Sequence, residues 1–102
     1  MTSIPDVLKV NKSGYNLLME NEKIRVMEMQ LKPGEMSPMH NHPNDHVVYV
    51  FNDAKFKLSF PDGNSDEFEL NAGQVLWIKA GPHETENIGS TKGHNLILEV
   101  KK

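Results

Sequence analysis

Short apolar segments alternate with turn-forming residues along the chain, and Pro, Gly, Asn or Asp recurs about every eight to twelve positions, a spacing typical of β-sandwiches and barrels. No stretch keeps the 3.6-residue period of an amphipathic helix. We therefore expect an all-β protein built from antiparallel strands, with little helix. The best candidate for a helical turn lies around Ser13–Glu22.

The segment around an Asp-Gly dipeptide predicts a β-hairpin. Lys55–Phe60 alternates polar and apolar residues, and so does Glu67–Leu70, which is the period of a strand with one buried face. Pro61–Asn64 joins the two strands, and its Asp-Gly pair suits the positive φ angles of a tight turn. The lysines of the first strand and the glutamates of the second should then face each other in solvent.

Three further segments predict strands with different positions in the fold. Val75–Ile78 is apolar throughout, so we expect it between two layers rather than on an edge, with Trp77 and Tyr49 packed between the sheets. Lys23–Leu31 changes its apolar phase halfway along, which predicts a bulge or burial on both sides. Asn95–Val100 predicts the closing strand.

Composition narrows the classes of protein to which the chain can belong. Its 102 residues predict one domain, residues 1–102. The net charge of −3 is scattered, whereas a nucleic-acid-binding domain normally shows a basic face. The longest apolar run, Val47–Phe51, is too short to cross a bilayer. Because the chain has no cysteine and its N-terminus lacks the pattern of a signal peptide, we expect no disulfides, no thiolate metal site and a cytoplasmic location.

Histidine is the residue type that stands out, since five histidines occur and three of them lie between positions 40 and 46. On an extended segment His40 and His42 point to the same face. A turn follows, and His46 then opens an apolar strand, so a folded-back chain would bring it beside the first pair. His83 follows a strand expected to be buried and could reach the same interior. His94 has no partner in the sequence and is interpreted as a strand-edge residue rather than a ligand.

Converging imidazoles predict a metal site. Imidazole is the commonest side-chain ligand of transition metals, and clusters of it suit these ions better than magnesium or calcium. We therefore expect His40, His42, His46 and His83 to hold one divalent transition metal per chain: iron, zinc, nickel, copper or manganese. The alternative is a metal-free barrel in which the histidines are polar lining. The chain has neither the G-x-S-x-G motif of serine hydrolases nor a glycine-rich nucleotide-binding motif, so the sequence does not indicate a hydrolase with a catalytic triad or a nucleotide-binding protein.

Two stretches resemble the motifs of the cupin superfamily. The first, over residues 34–53, reads Gly34-x5-His40-Asn41-His42-x3-His46 against the family pattern G-x5-H-x-H-x3,4-E-x6-G. The second, over residues 73–87, reads Gly73-x5-Lys79-Ala80-Gly81-Pro82-His83-x3-Asn87 against G-x5-P-x-G-x2-H-x3-N. The chain departs from the family at four places: His46 replaces the glutamate, Asp53 the closing glycine and Lys79 the proline, and the gap before His83 is one residue short.

The resemblance implies a small antiparallel double-stranded β-helix, the cupin jelly-roll barrel. It also implies that His40, His42 and His83 bind the metal, with His46 in the place of the glutamate ligand. Cupins include dioxygenases, isomerases, decarboxylases and lyases, and some cupin dioxygenases use histidine-only sites. The resemblance leaves open whether this chain is an enzyme acting on a small oxygen-bearing molecule or a non-catalytic barrel that binds or senses one.

Two finer expectations complete the sequence-based picture. Asn87, Asp45 and Glu84 lie near the histidines in sequence, so they are the candidates for orienting the imidazole rings. Cupins are often dimers, and the strand Lys23–Leu31, with methionines on both faces, is the candidate for pairing or packing across a two-fold axis. The expected partners are therefore a small molecule and a second copy of the chain, with no nucleic acid and no membrane.

Overall fold

The structure is a computed structural model of the chain, and it describes residues 4–10 and 14–101. Within these residues the chain forms one short helix and nine strands. They are α1 (Val7–Val10), β1 (Tyr15–Glu20), β2 (Ile24–Leu31), β3 (Met36–His42), β4 (His46–Val50), β5 (Ala54–Ser59), β6 (Ser65–Leu70), β7 (Val75–Ile78), β8 (Gly81–Asn87) and β9 (Gly93–Val100). No helix among the described residues is long and apolar enough to span a membrane.

The strands form two antiparallel sheets. One has five strands in the order β1-β2-β9-β4-β7, and the other has four in the order β3-β8-β5-β6. The described apolar core lies on the inward positions of several strands of both sheets, including Met27 and Ile97 of the first sheet and Phe56 and Leu70 of the second. The expectation of an all-β antiparallel fold is confirmed.

The predicted hairpin forms as expected. Strands β5 and β6 pair so that Phe56 lies opposite Phe68 and Lys57 opposite Glu67. The loop between them contains Gly63, whose φ of 92° lies in the left-handed region that glycine adopts without strain. The cross-strand lysine and glutamate pairs face solvent, in agreement with the alternating pattern.

Strand β7 is the clearest departure from the sequence-based expectation. It lies at the edge of the five-stranded sheet, where it pairs with β4, and its side chains Val75 and Trp77 are 62% and 56% exposed. Tyr49 of β4 lies opposite Val75 and is exposed as well. The prediction that Trp77 and Tyr49 pack between the sheets was therefore wrong. Val75–Ile78 is apolar on both faces because its outward side chains, Val75 and Trp77, lie beside the apolar residues Tyr49 and Val47 on the outer face of this sheet.

The segment expected to form a helical turn forms strand β1 over Tyr15–Glu20, while Ser13 lies outside the described residues. Pairing with β2 determines the conformation of this segment, because long-range strand pairing overrides a weak local helical preference. The bulge predicted near Val26 is found in the partner strand, where the register shifts between Leu17 and Met19.

Strand β2 cannot pair with a second copy of the chain edge to edge. Both of its edges are occupied, one by β1 and the other by β9 along all eight of its residues. Pairing of Lys23–Leu31 across a two-fold axis was therefore a wrong expectation. Its inward methionines, Met27 and Met29, are buried in the core of the barrel.

Candidate metal centre

Three of the predicted histidines meet at one end of the barrel interior. His40 of β3 lies directly opposite His83 of β8, and His42 follows two residues later on the same inward face of β3. Their ring centroids lie 4.8–4.9 Å apart. One ring nitrogen from each of the three lies within 4.8 Å of the others, and all three side chains are buried. These three histidines could hold a metal ion.

His46 approaches the same cluster from the opposite sheet. It is the first residue of β4, it is buried, and its ring centroid lies 4.5 Å from that of His42. It also lines the same interior cavity as His42 and His83. It is not among the three histidines whose ring nitrogens share the 4.8 Å neighbourhood. His46 therefore lies beside the three-histidine cluster rather than within it.

Hydrogen bonds on one side of the rings leave the other nitrogen available as a ligand. Nδ1 of His40 donates to the carbonyl of Pro38 at 2.7 Å, and Nδ1 of His46 donates to the carbonyl of Asn44 at 3.1 Å. Because a carbonyl only accepts, the proton of each neutral ring lies on Nδ1 and the lone pair on Nε2. The buried Nε2 of His40 has no hydrogen-bond partner among the described residues.

Burial keeps these imidazoles neutral. Loss of solvent is the largest cause at each position, and it lowers the pKa of His40 and of His46 to about 4 and the pKa of His83 to about 3. The neighbouring imidazoles lower these values further, because like charges would repel. At neutral pH the rings therefore carry no proton that a metal would have to displace.

A buried carboxylate orients the imidazole of His42. Oε2 of Glu99, a fully buried residue of β9, accepts a hydrogen bond from Nδ1 of His42 at 3.1 Å. Glu99 is also bound by Arg25 through Nε and a terminal nitrogen, each at 3.0 Å. Arg25 in turn donates to both carboxylate oxygens of Asp6, at 2.8 and 3.1 Å. A charged network thus connects the segment before α1 with the histidine cluster.

The charges in this network stabilise one another. Burial alone would raise the pKa of the Glu99 carboxyl, but the hydrogen bonds from His42 and Arg25 and the charge of Arg25 outweigh it and lower this pKa to about 2. Asp6 and Glu99 together raise the pKa of Arg25 despite its burial. Glu99 is therefore a carboxylate at neutral pH. Such a group holds a ligating imidazole in one orientation and increases its basicity.

Sequence reasoning missed Glu99 and proposed other orienting groups instead. Among the described contacts, Asp45 accepts from the backbone of Ala80, and the amide of Asn87 donates to the carbonyls of Leu31 and Thr91. No described hydrogen bond joins either of them, or the third candidate Glu84, to an imidazole, so that expectation was wrong for all three. A usable signal was present in the strand Asn95–Val100, because Glu99 is an acidic residue that follows three apolar ones and occupies an inward position of the strand.

His94 lies away from the cluster, near the start of β9. Its Nε2 lies 2.7 Å from Oε2 of Glu28, and its ring contacts Phe51 at a centroid distance of 4.6 Å. Both contacts are on the outer side of the five-stranded sheet. The strand that carries it is central rather than at an edge, but its separation from the other histidines agrees with its interpretation as a residue outside the site.

A narrow cavity extends from the histidines into the barrel. Its volume is about 60 Å³. Apolar side chains such as Phe56, Leu58 and Leu76 form most of its wall. A groove that contains the exposed Lys79 adjoins it on the outside, and His83 lines both spaces. The histidine cluster therefore lies between the open groove and the interior cavity.

The residues present fit a divalent transition ion. Two neutral imidazoles with fixed tautomers, a buried ring nitrogen without a partner among the described residues and a carboxylate behind the ring of His42 form the kind of donor set and supporting shell that such ions require. No glutamate is among the candidate ligands. Among the described residues, the carboxylate that would offset the positive charge of the ion is Glu99, which acts through the imidazole of His42.

Comparison with known proteins agrees with the fold and the motifs. A family model of the cupin domain matches residues 27–98. The beta-alanine degradation protein BauB of Pseudomonas aeruginosa is 29% identical over 79 residues, which cover 78% of this chain and 80% of BauB. A crystal structure of a cupin domain from Bordetella pertussis matches 100% of both chains with a TM-score of 0.80 at 23% identity. The polyketide cyclase RemF from Streptomyces resistomycificus matches with a TM-score of 0.62 at 20% identity, covering 86% of this chain and 64% of RemF.

The fold and the histidine-lined interior define a small cupin barrel, as the sequence motifs implied. The match to the family model spans both motifs and most of the chain, so this protein belongs to the cupin family. Its fold is the double-stranded β-helix of that family.

Proposed function

We propose that this protein is a metal-dependent enzyme that acts on a small oxygen-bearing organic acid. His40, His42 and His83 hold one divalent transition metal, and His46 serves as a fourth ligand. The observation that carries the proposal is the buried, unpaired Nε2 of His40 beside two further imidazoles. A buried polar atom without a partner costs free energy, about 1–3 kcal/mol, and a metal ion at this point removes that cost.

The cavity and the groove outside it support a small, partly apolar, anionic substrate. The interior walls are mostly apolar, so the body of the ligand is apolar and its oxygen atoms lie at the histidine end. Lys79 and Asp62 both line the outer groove, and the positive charge of Lys79 attracts an anion to its own side of the groove, four residues before His83. The similarity to BauB, whose name places it in beta-alanine degradation, supports a small organic acid as the substrate class.

The side chains around the cavity favour chemistry centred on the metal. The described residues that line the cavity include no carboxylate, lysine or cysteine, and burial raises the pKa of the Tyr15 hydroxyl among them to about 12. Proton abstraction by a protein base therefore has little support, and oxygenation is favoured over isomerisation or elimination. A bound ion supplies a Lewis acid for an oxygen ligand, and iron(II) adds dioxygen chemistry. The protein residues hold that ion, orient the ligand and exclude water.

The same observation keeps a second candidate function open. A lining whose described residues include no carboxylate, lysine or cysteine also suits a barrel that binds or senses a small molecule through its metal, without turnover. The two functions share the metal site and differ only in whether the bound molecule reacts. Ligand binding and turnover must therefore be measured separately.

Oxygen consumption by the iron(II)-loaded protein separates the two functions. We expect the metal-free protein, reconstituted anaerobically with iron(II), to consume oxygen when a reactive β-diketone or β-keto acid is added. The zinc-loaded protein should bind the same compound without consuming oxygen, because zinc has no accessible redox chemistry. Binding to both forms with oxygen uptake no faster than that of free iron(II) would contradict an oxygenase and support the binding function.

We also propose that the protein is a homodimer that buries the outer face of its five-stranded sheet. The strand register places five apolar side chains in one row across all five strands: Met19, Val26, Leu98, Val47 and Trp77. A sheet face that is apolar from edge to edge normally lies against another surface. A second copy fits best, because an apolar face is self-complementary about a two-fold axis and needs no matching charges.

Light scattering after gel filtration tests the dimer. We expect a mass twice the 11.6 kDa of the chain, and we expect Tyr49→Lys to yield monomer because it places a charge in the middle of this face. The control is Met36→Lys, which places the same charge at an exposed apolar residue of the opposite sheet and should leave the dimer intact. A monomeric wild-type protein, or a dimer unaffected by Tyr49→Lys, would contradict this interface.

A cytoplasmic location and the absence of a nucleic-acid partner complete the proposal. The chain has no cysteine that an oxidising compartment would pair, and its net charge of −3 opposes binding to a polyanion. Residues 1–102 are proposed to act as a single cupin domain.

A further inference from the structure

Two buried side-chain atoms lack a hydrogen-bond partner among the described residues, and both belong to the barrel interior. One is Nε2 of His40, which the proposed metal explains. The other is Oδ1 of Asn95, a β9 residue that is only 2% exposed. Asn95 lines the same cavity as His42, His46 and His83. No metal at the histidine cluster can satisfy it, because it lies too far along the strand.

The strand register gives the separation. Glu99, behind the metal site, lies opposite His46, whereas Asn95 lies opposite Val50 on the same pair of strands. Four residues of β-strand separate the two levels, a distance of about 13 Å. Asn95 and Glu99 share the inward face of β9. Because four residues separate them, the Asn95 amide lies deeper in the cavity than the metal site does.

The surroundings of Asn95 offer it no protein partner. The side chains beside it on the cavity wall are mostly apolar, and the ring of Phe56 closes the space near the start of β9, where a Cβ on Gly93 would lie 2.1 Å from Phe56 Cζ. Of the other polar groups of the wall, the Tyr15 hydroxyl bonds with Ser37 and Thr85, and the three imidazoles are the proposed ligands of the metal. Oδ1 of Asn95 is therefore left to bond with a ligand in the cavity.

We propose that Asn95 is a second anchor for the ligand and selects molecules that carry a neutral hydrogen-bond donor, a hydroxyl group, at the end away from the metal. This inference rests on the proposed function, since the near end of the ligand binds the metal through oxygen. The donor is neutral because the cavity lining holds no carboxylate to offset an ammonium group, and burying an unpaired charge is costly. The ligand class is thus a short hydroxy acid with an apolar middle.

Titration calorimetry on the cobalt-loaded protein tests this with three probes of equal length: pentanoate, 5-hydroxypentanoate and 5-aminopentanoate. We expect 5-hydroxypentanoate to bind about five- to tenfold more tightly than pentanoate, and 5-aminopentanoate to bind no better than pentanoate. Asn95→Leu, which has nearly the same volume, should abolish the preference for the hydroxyl compound while leaving the metal content and the affinity for pentanoate unchanged. Thr85→Val is the matched control, because its hydroxyl already has a partner, and it should keep the preference.

The outcomes distinguish this inference from the proposed function. Equal binding of pentanoate and 5-hydroxypentanoate to the wild-type protein, or an equal preference in Asn95→Leu, overturns the role of Asn95 while the metal site stands. Binding of no probe to protein that holds cobalt overturns the ligand class. Failure to hold cobalt overturns the proposed function itself.

A second measurement tests whether Asn95 serves the fold instead. For a residue without a protein partner, Asn95→Leu should leave the melting temperature of the metal-free protein unchanged or raise it. A fall of several degrees would show that the amide supports the fold and would overturn the inference.

Discussion

Replacing His40 or His83 by alanine is expected to remove the metal, leaving less than about a tenth of an equivalent bound, because each supplies one of the three ring nitrogens that converge on one point. His46→Ala should weaken binding less, by about tenfold, because His46 lies beside the three rather than among them. The measurement is the dissociation constant from competition with a chelator, with metal content determined by elemental analysis.

His94→Ala is the matched control for this series. It removes an imidazole as well, but from the outer side of the five-stranded sheet, where His94 contacts Glu28 and lies away from the cluster. Circular dichroism of each metal-free variant verifies that the barrel is folded. Undiminished metal binding in His40→Ala, His42→Ala and His83→Ala would show that the ligands lie elsewhere. An equal loss in His94→Ala would show that the effect comes from the fold.

The second large effect is expected at Glu99. Glu99→Gln keeps the volume and an oxygen that can accept from Nδ1 of His42, but removes the negative charge. We expect the metal dissociation constant to rise about 10- to 100-fold, the usual cost of losing a carboxylate behind a ligating histidine. The variant also leaves the buried Arg25 with one carboxylate instead of two, so the metal-free protein should lose about 3 kcal/mol of unfolding free energy.

Asp6→Asn separates the effect on the metal from the effect on the fold. It disrupts the other half of the Arg25 network without touching His42, and asparagine still provides the cap that Asp6 gives to the backbone of Leu8. This variant should lose about 1 kcal/mol of unfolding free energy at most, with an unchanged metal dissociation constant. Unchanged metal affinity in Glu99→Gln, or an equal loss of affinity in Asp6→Asn, would contradict a direct action of Glu99 on His42.

The sequence predicted those features that depend on local pattern. Strict alternation around an Asp-Gly turn predicted the β5–β6 hairpin, and it forms with the expected pairs. The i, i+2 spacing placed His40 and His42 on one face of β3. Their meeting with His83 is a long-range contact that strand spacing alone could not establish, and the resemblance to the cupin motifs supplied it.

What the sequence did not predict depends on sheet order and on charges distant along the chain. Val75–Ile78 is equally apolar whether it lies between layers or at an edge with an apolar outer face, so its position required the strand order. Glu99 is 57 residues from His42, and Arg25 is 74 residues from Glu99. No local pattern connects such residues. They meet because β9 is central to its sheet and brings Glu99 behind the histidine cluster.

Elemental analysis of the untagged protein, purified without chelators, tests for the metal itself. We expect about one equivalent of a divalent transition metal per chain, either as purified or after reconstitution. Less than about a tenth of an equivalent after reconstitution with iron(II), zinc, nickel, copper and manganese in turn would contradict it, because a site of convergent neutral imidazoles binds at least one of these ions.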